Sequence, residues 1–359
     1  MLMDKYETPC KNAITLKKQV IVFVASSVES ETLQKHAAAA SHRARSSPGI
    51  PLDTVHGIRR KGGEVWHRGS NDEDWCYQTQ FTCDHKCNAP EKWNHVNGDC
   101  GGRSQSPINI VTRKTLKDER LTPFQFKDYQ KIFRGVIKNN GHSVKVEVPH
   151  LSTVSGGGLP ATYKAVQFHL HWGTNGGPGS EHTIDGEQYP MELHIVHMKE
   201  HYADLTTALA DPEGVAVLGF FYESSSSANK KYDPIINVLR SIKSTNDNTS
   251  LLPISLAQLI PSEQNMTSYY RYKGSLTTPS CTESVIWTLF EQPIPLNMDQ
   301  LRMFSELKFQ DGKPMVGTFR PVQPLNGRQV YRSGGAVILA SSTLLVAAIA
   351  TALGLSQPI

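Results

Sequence analysis

The sequence predicts a mainly β domain built around one large sheet. Short segments of alternating apolar and polar residues recur along the middle of the chain, at the two-residue period of a half-buried strand. Pro-, Gly- and Asn-rich turn sequences separate them, and few stretches carry helical spacing.

Residues 1–73 are unlike the rest. The run Val20-Ile21-Val22-Phe23-Val24-Ala25 follows Lys17 and Lys18 but is short for an export signal. Ala37–Ala40 and the Ser/Arg/Pro/Gly-rich run Ser41–Gly63 read as low-complexity linker, so this extension is expected to be disordered or absent from the mature protein. An ordered domain starts at Asp74. Between Pro107 and Glu147, short apolar runs are split by turn signals such as Lys138-Asn139-Asn140-Gly141. Ser155–Pro160 is a Gly-rich turn and not a phosphate cradle, because no GK[ST] follows. Lys199–Leu209 and Asp233–Ile242 have helical spacing, while Ala216–Tyr222 reads as a fully buried strand. Ala336–Leu355 is an uncharged run long enough to span a bilayer.

Composition narrows the function. Apolar residues make up 38% of the chain, enough for a sizeable core. The net charge of +4 comes without a basic block that could track phosphates, which argues against a nucleic-acid partner. Cys76, Cys83, Cys87 and Cys100 crowd the domain start, Cys281 lies far away, and no paired C-x2-C zinc ribbon is present. Disulfides, and hence an oxidising compartment, fit better. Asn248-Thr249-Ser250 and Asn265-Met266-Thr267 are N-glycosylation acceptors at Asn248 and Asn265, in agreement with export.

The chemistry sits in two segments, Gln167-Phe168-His169-Leu170-His171-Trp172-Gly173 and Glu192-Leu193-His194-Ile195-Val196-His197. Side chains two apart on a strand face one way, so His169 and His171 form a pincer. Antiparallel pairing of the segments would add His194 as a third nitrogen. Three imidazoles with no fourth protein ligand is the open pattern of a catalytic zinc. Gln167 and Glu192 are residue types that hold a ligand imidazole in one tautomer. A polar stripe on a strand explains H-x-H by itself, but not a third histidine with Gln and Glu beside the set.

These segments resemble the α-class carbonic anhydrases in order and spacing. So do Ser106-Pro107-Ile108-Asn109-Ile110, Ser180-Glu181-His182-Thr183, Gly274-Ser275-Leu276-Thr277-Thr278-Pro279 and Phe319-Arg320-Pro321. The resemblance covers residues 74–332. It implies a single catalytic domain around a mostly antiparallel twisted sheet with a few short surface helices. One Zn2+ per chain would be held by His169, His171 and His194. The implied reaction is reversible hydration of CO2 to bicarbonate and a proton by zinc hydroxide, open to sulfonamide and anion inhibitors. Thr277 would orient the attacking oxygen through a bond to buried Glu181, and His142 would relay the proton. Without the resemblance, His142 reads as a surface histidine after a turn, and Thr277-Thr278 as a polar turn. Val196, Val217, Leu276, Val285 and Trp287, with Thr277 and Thr278, match the substrate-binding positions, and Tyr77 the mouth of the site. His182 and His197 read as buried structural histidines.

The chain resembles in particular the membrane-anchored isozyme IV branch of that family. Its pattern implies Cys100–Cys281 and Cys76–Cys87 disulfides; Cys83 could replace either member of the second pair or stay free. It also implies a GPI anchor at Ser333, with 333–359 acting as the anchor signal, and a place on the extracellular face of the plasma membrane. A bicarbonate transporter is a natural partner there. A retained transmembrane tail is the alternative, because the polar spacer before the apolar run is nearly missing. A non-enzymatic extracellular binding domain would be expected to lack zinc ligands, all of which are present. A metallohydrolase of the H-E-x-x-H type has no matching helix.

Overall fold

The computed structural model describes residues 75–82 and 87–334. The N-terminal extension, Cys10, Cys83 and the apolar tail lie outside those residues. In chain order the strands are β1 (Asn109–Ile110), β2 (Leu116–Lys117), β3 (Phe124–Lys127), β4 (Val136–Asn139), β5 (Val144–Glu147), β6 (Thr153–Gly156) and β7 (Tyr163–Trp172). They continue with β8 (Thr183–Ile184), β9 (Glu187–Gln188), β10 (Met191–Lys199), β11 (Val215–Ser225), β12 (Asn248–Ser250), β13 (Tyr269–Gly274), β14 (Val285–Asn297) and β15 (Tyr331–Arg332).

One large sheet runs β12-β4-β5-β7-β10-β11-β14-β13-β15-β2, with β3 and β6 attached beside β7. Its ladders are antiparallel except β11–β14 and β15–β2, so the expected mainly β, mostly antiparallel fold is observed. The central strands are long because both of their faces are covered. In β10 every residue from Met191 to Met198 is buried, and β11 is buried from Val215 to Tyr222. Such strands read as continuous apolar runs rather than as alternation.

Alternation separates the chemistry from the core. On β7, Phe168, Leu170 and Trp172 join the larger core cluster, which leaves Gln167, His169 and His171 for the opposite face. On β10, Leu193 and Ile195 belong to that larger cluster, while Val196 and Met198 pack with Val217, Val285 and Trp287 in a second one. Burying each such side chain contributes about 1.5–3 kcal/mol.

Helices are short. Where the sequence predicts a helix over Lys199–Leu209, β10 continues through Lys199 and the helix begins at Leu205, with Asp204 accepting from the Thr207 N–H as N-cap. The stretch Asp233–Ile242 divides into an α turn, Asp233–Ile236, and a 3-10 turn, Leu239–Ile242.

Both expected disulfides form. Cys76–Cys87 closes a short loop, and Cys100–Cys281 spans 181 residues. In the chain-entropy picture the long bridge is worth roughly 3–5 kcal/mol. Its partner Cys281 lies just beyond Thr277 and Thr278, and its N–H donates to the Thr278 carbonyl over 2.7 Å.

Candidate metal centre

The register of β7 against β10 builds the centre. His194 stands opposite His169 and Glu192 opposite His171, so the antiparallel pairing brings three imidazoles to one face. His169 Nε2 and His194 Nδ1 are 3.3 Å apart, and one ligand nitrogen from each of the three rings lies within 4.8 Å of the others.

The far side of each ring decides its tautomer. His169 Nδ1 faces Gln167 Oε1 at 2.9 Å, His171 Nδ1 faces the Thr318 carbonyl at 2.6 Å, and His194 Nε2 faces Glu192 Oε1 at 2.7 Å. Each partner is an acceptor, so each of these nitrogens carries the proton and donates it. The lone pairs are thereby left on His169 Nε2, His171 Nε2 and His194 Nδ1, and all three converge. His171 Nε2 is buried with no hydrogen bond, as is Glu181 Oε2, 3.3 Å from it. Three convergent nitrogen lone pairs beside an unsatisfied carboxylate oxygen fit a divalent cation with an open fourth position, and the all-imidazole set suits zinc.

Electrostatics agree. Burial, then the neighbouring His171 and His194, hold His169 well below the usual histidine range. Burial takes His171 down to about 3, and burial lowers His194 against the pull of Glu192. All three rings are neutral ligands near pH 7. Burial works to raise the Glu192 carboxyl, but His182 and His194 and their hydrogen bonds outweigh it and hold it well below its ordinary value. Burial and the Glu192 charge push Glu181 up, while the Thr277 side chain and the Arg320 N–H work against them. A dication between the rings would add to that lowering.

Trp287 and Thr277 stand beside this centre. Thr277 is buried on the loop after β13. That loop is pinned by a reciprocal pair in which the Ser106 N–H donates to Ser275 Oγ and the Ser275 N–H donates to Ser106 Oγ. Gly274 is required at its base, since a Cβ there would stand 2.2 Å from Ser106 Oγ. Thr278 follows, half-buried. Val196, Val217, Val285 and Trp287 form one apolar cluster with half-buried Leu276 against it, and the Trp287 ring centre lies 4.8 Å from that of His194. His142 is presented by a side-chain-capped turn. Asn140 Oδ1 accepts from the N–H groups of His142 and Ser143, and Gly141 takes the positive φ of 88°. The His142 ring stacks on Trp75 at 3.9 Å.

Tyr77 is fully buried against Trp75, Trp93 and Phe309, and its ring centre lies 6.4 Å from that of His142. Ser333 is held by hydrogen bonds through both its backbone and its side chain. Its N–H donates to the Tyr269 carbonyl, its Oγ donates to the Thr267 carbonyl, and the Tyr269 N–H donates to its Oγ. Asn248 and Asn265 are exposed, as acceptors of a glycan must be. No helix among the described residues is long and apolar enough to cross a membrane.

Three contributors went unseen in the sequence. Thr318 acts through a backbone carbonyl, which leaves no side-chain signature. Arg320 stands in a recognised motif, yet its role is visible only here. Its N–H donates to Glu181 Oε1 at 2.9 Å, and its guanidinium donates to Gln105 Oε1 and to the carbonyls of Ser106 and Cys100. Tyr272 closes the network behind Glu192 by pairing with His182 Nε2 at 2.6 Å.

Comparison with known proteins now adds to the geometry. The family model described as eukaryotic-type carbonic anhydrase matches residues 88–334. The chain is 40% identical over 299 residues to rabbit (Oryctolagus cuniculus) carbonic anhydrase 4, covering 82% of this chain and 94% of the rabbit protein. It is 41% identical over 286 residues to mouse (Mus musculus) carbonic anhydrase 4, covering 77% and 91%. Against mouse carbonic anhydrase 15 the identity is 36% over 285 residues, covering 76% and 86%. With three tautomer-fixed histidines converging on one point and a family match over most of its length, this chain belongs to the eukaryotic-type carbonic anhydrases.

Proposed function

We propose that this protein catalyses the reversible hydration of carbon dioxide to bicarbonate and a proton, using one Zn2+ held by His169, His171 and His194. The observation that carries this reading is the convergence of three imidazole lone pairs beside the unpartnered Oε2 of Glu181. Bound zinc would supply a Lewis acid that lowers the pKa of water in its open position to about 7.

The chain's own residues do the rest. The Thr277 hydroxyl orients the attacking oxygen and donates in turn to Glu181, which disfavours anions with no proton to offer. Val196, Val217, Leu276, Val285 and Trp287 form the dry wall that receives apolar CO2, with Thr278 on the polar side. His142 takes up the released proton and hands it to buffer, a task suited to an imidazole pKa near 6.5. Its capped turn and the Trp75 ring beneath it set where that imidazole sits. Sulfonamides and anions would inhibit by occupying the same centre.

We place the enzyme on the extracellular face of the plasma membrane, anchored by GPI at Ser333. Two disulfides, two exposed glycan acceptors and the similarity to carbonic anhydrase 4 support that location. The hydrogen bonds of Ser333 use its N–H and Oγ, so its carbonyl carbon is left to carry the anchor. A bicarbonate transporter is the partner class that such a position serves.

Metal analysis and stopped-flow CO2 hydration on one sample of purified protein test the core of this reading. The expected result is about one zinc per chain and fast, sulfonamide-sensitive hydration. A His142→Ala variant should slow turnover in weak buffer and recover in concentrated imidazole. Bound zinc without hydration would sink the mechanism.

A further inference from the structure

The face of the sheet away from the metal centre carries a second candidate site. On β13, Tyr270 and Tyr272 pack with Trp287 in the metal-side cluster, whereas Tyr269 packs in the opposite one, so alternation puts Arg271 and Lys273 on that opposite face. There they line a cavity of about 500 Å³, together with Asp118, Arg120, Glu213 and Arg328. These are four cationic side chains against two carboxylates.

The pairing within the cavity is uneven. Arg120 takes Asp118 at 2.8 Å and Lys273 takes Glu213 at 2.7 Å. Arg328 spends its donors on the carbonyls of Gln105, Lys273, Pro324 and Leu325. Arg271 is different. It is only 8% exposed, yet among the described residues no carboxylate lies within ion-pair distance of it, and Asp118, taken by Arg120, acts on it only from farther off. Its Nε and one terminal nitrogen donate to the neutral Thr288 Oγ1 at 3.2 and 3.0 Å, and its guanidinium lies 5.8 and 5.9 Å from the centres of the adjacent Phe124 and Tyr269 rings. Burial takes it down to about 10. A buried cation facing a cavity without a carboxylate in direct contact is costly unless something negative is supplied.

We propose that this cavity binds a small organic carboxylate, with its carboxylate on the Arg271 guanidinium and its apolar body against Leu121, Ile286 and Tyr331. A guanidinium presents a planar fork that matches a carboxylate, and the excess of two positive charges favours an anion over a neutral ligand. The cavity opens on the face of β13 away from the metal centre, although Tyr272, which also lines it, bonds His182 behind Glu192.

Benzoate is the probe, followed by ligand-observed NMR or calorimetry on zinc-loaded, full-length protein saturated with a sulfonamide to block the metal. Saturable binding of one benzoate is expected. Arg271→Gln should weaken it by about tenfold or more. Lys273→Glu, which changes an exposed rim residue and leaves the core alone, should weaken it about threefold by reversing the local charge. Absence of saturable binding to the blocked wild-type protein overturns the proposal. So does binding that Lys273→Glu leaves unchanged, whether or not Arg271→Gln folds.

Discussion

Two buried histidine clusters stand side by side in this protein, and both meet the spatial requirement for a metal. His169, His171 and His194 form one; His182, Glu192 and His194 form the other. They share a histidine, and although His169 leaves the first slightly less dry, the decisive difference is their hydrogen bonding. In the second, every polar atom of the network has a partner. Glu192 Oε2 accepts from the N–H groups of Glu181 and His182, its Oε1 meets His182 Nδ1 and His194 Nε2, and His182 Nε2 meets the Tyr272 hydroxyl. In the first cluster the inward lone pairs meet one another and the unsatisfied Oε2 of Glu181. Proximity does not make a ligand set. An outward proton and an inward lone pair on every ring do, and the closed cluster supplies that arrangement to His194.

Predictions that bear on this contrast run from large to small. His194→Ala removes a ligand from the open cluster and should abolish both zinc retention and hydration, read by metal analysis and stopped-flow; retained zinc at full activity would overturn the assignment. Glu192→Gln keeps the shape but turns an amide NH2 toward donors. It should cost on the order of 3–5 kcal/mol of stability and roughly 10–100-fold in zinc affinity, measured by denaturant unfolding and chelator competition.

His197 lies outside both clusters, buried and paired with Tyr129. Burial takes it down to about 4. Between there and the ordinary value of about 6.5, the unfolded chain binds a proton that the folded one refuses. The stability it contributes is therefore complete above pH 6.5 and lost as pH falls towards 4, roughly 3 kcal/mol in all. A His197→Gln variant should show a flatter stability profile across that window. The smallest effect is expected for Tyr272→Phe, which opens one bond of the closed cluster. It should cost about 1 kcal/mol and leave zinc content unchanged. A loss of zinc there would show that the two clusters are more tightly coupled than their bonding implies.

Much of the site was legible because strand chemistry is periodic. His169 and His171 had to share a face, and the residue types at Gln167 and Glu192 already announced ring-holding partners. The apolar positions from Val196 to Trp287 were readable as a wall only through the family resemblance, since any one of them is also ordinary core.

The sequence by itself determined the ligand types, the face they share and the mainly β class, because periodicity and residue chemistry are local properties; the disulfide pairing came only through the family resemblance. Only the tertiary structure decided which nitrogen of each ring points inward. That choice depends on a carbonyl at Thr318, 147 residues from His171, and on a carboxylate held by two N–H groups from another segment. It also decided that Arg320 steadies Glu181 and that Arg271 lies buried with Thr288, and not a carboxylate, as its hydrogen-bond partner. Hydrogen-bond direction and charge compensation are settled between groups distant in the chain, and no local pattern records them.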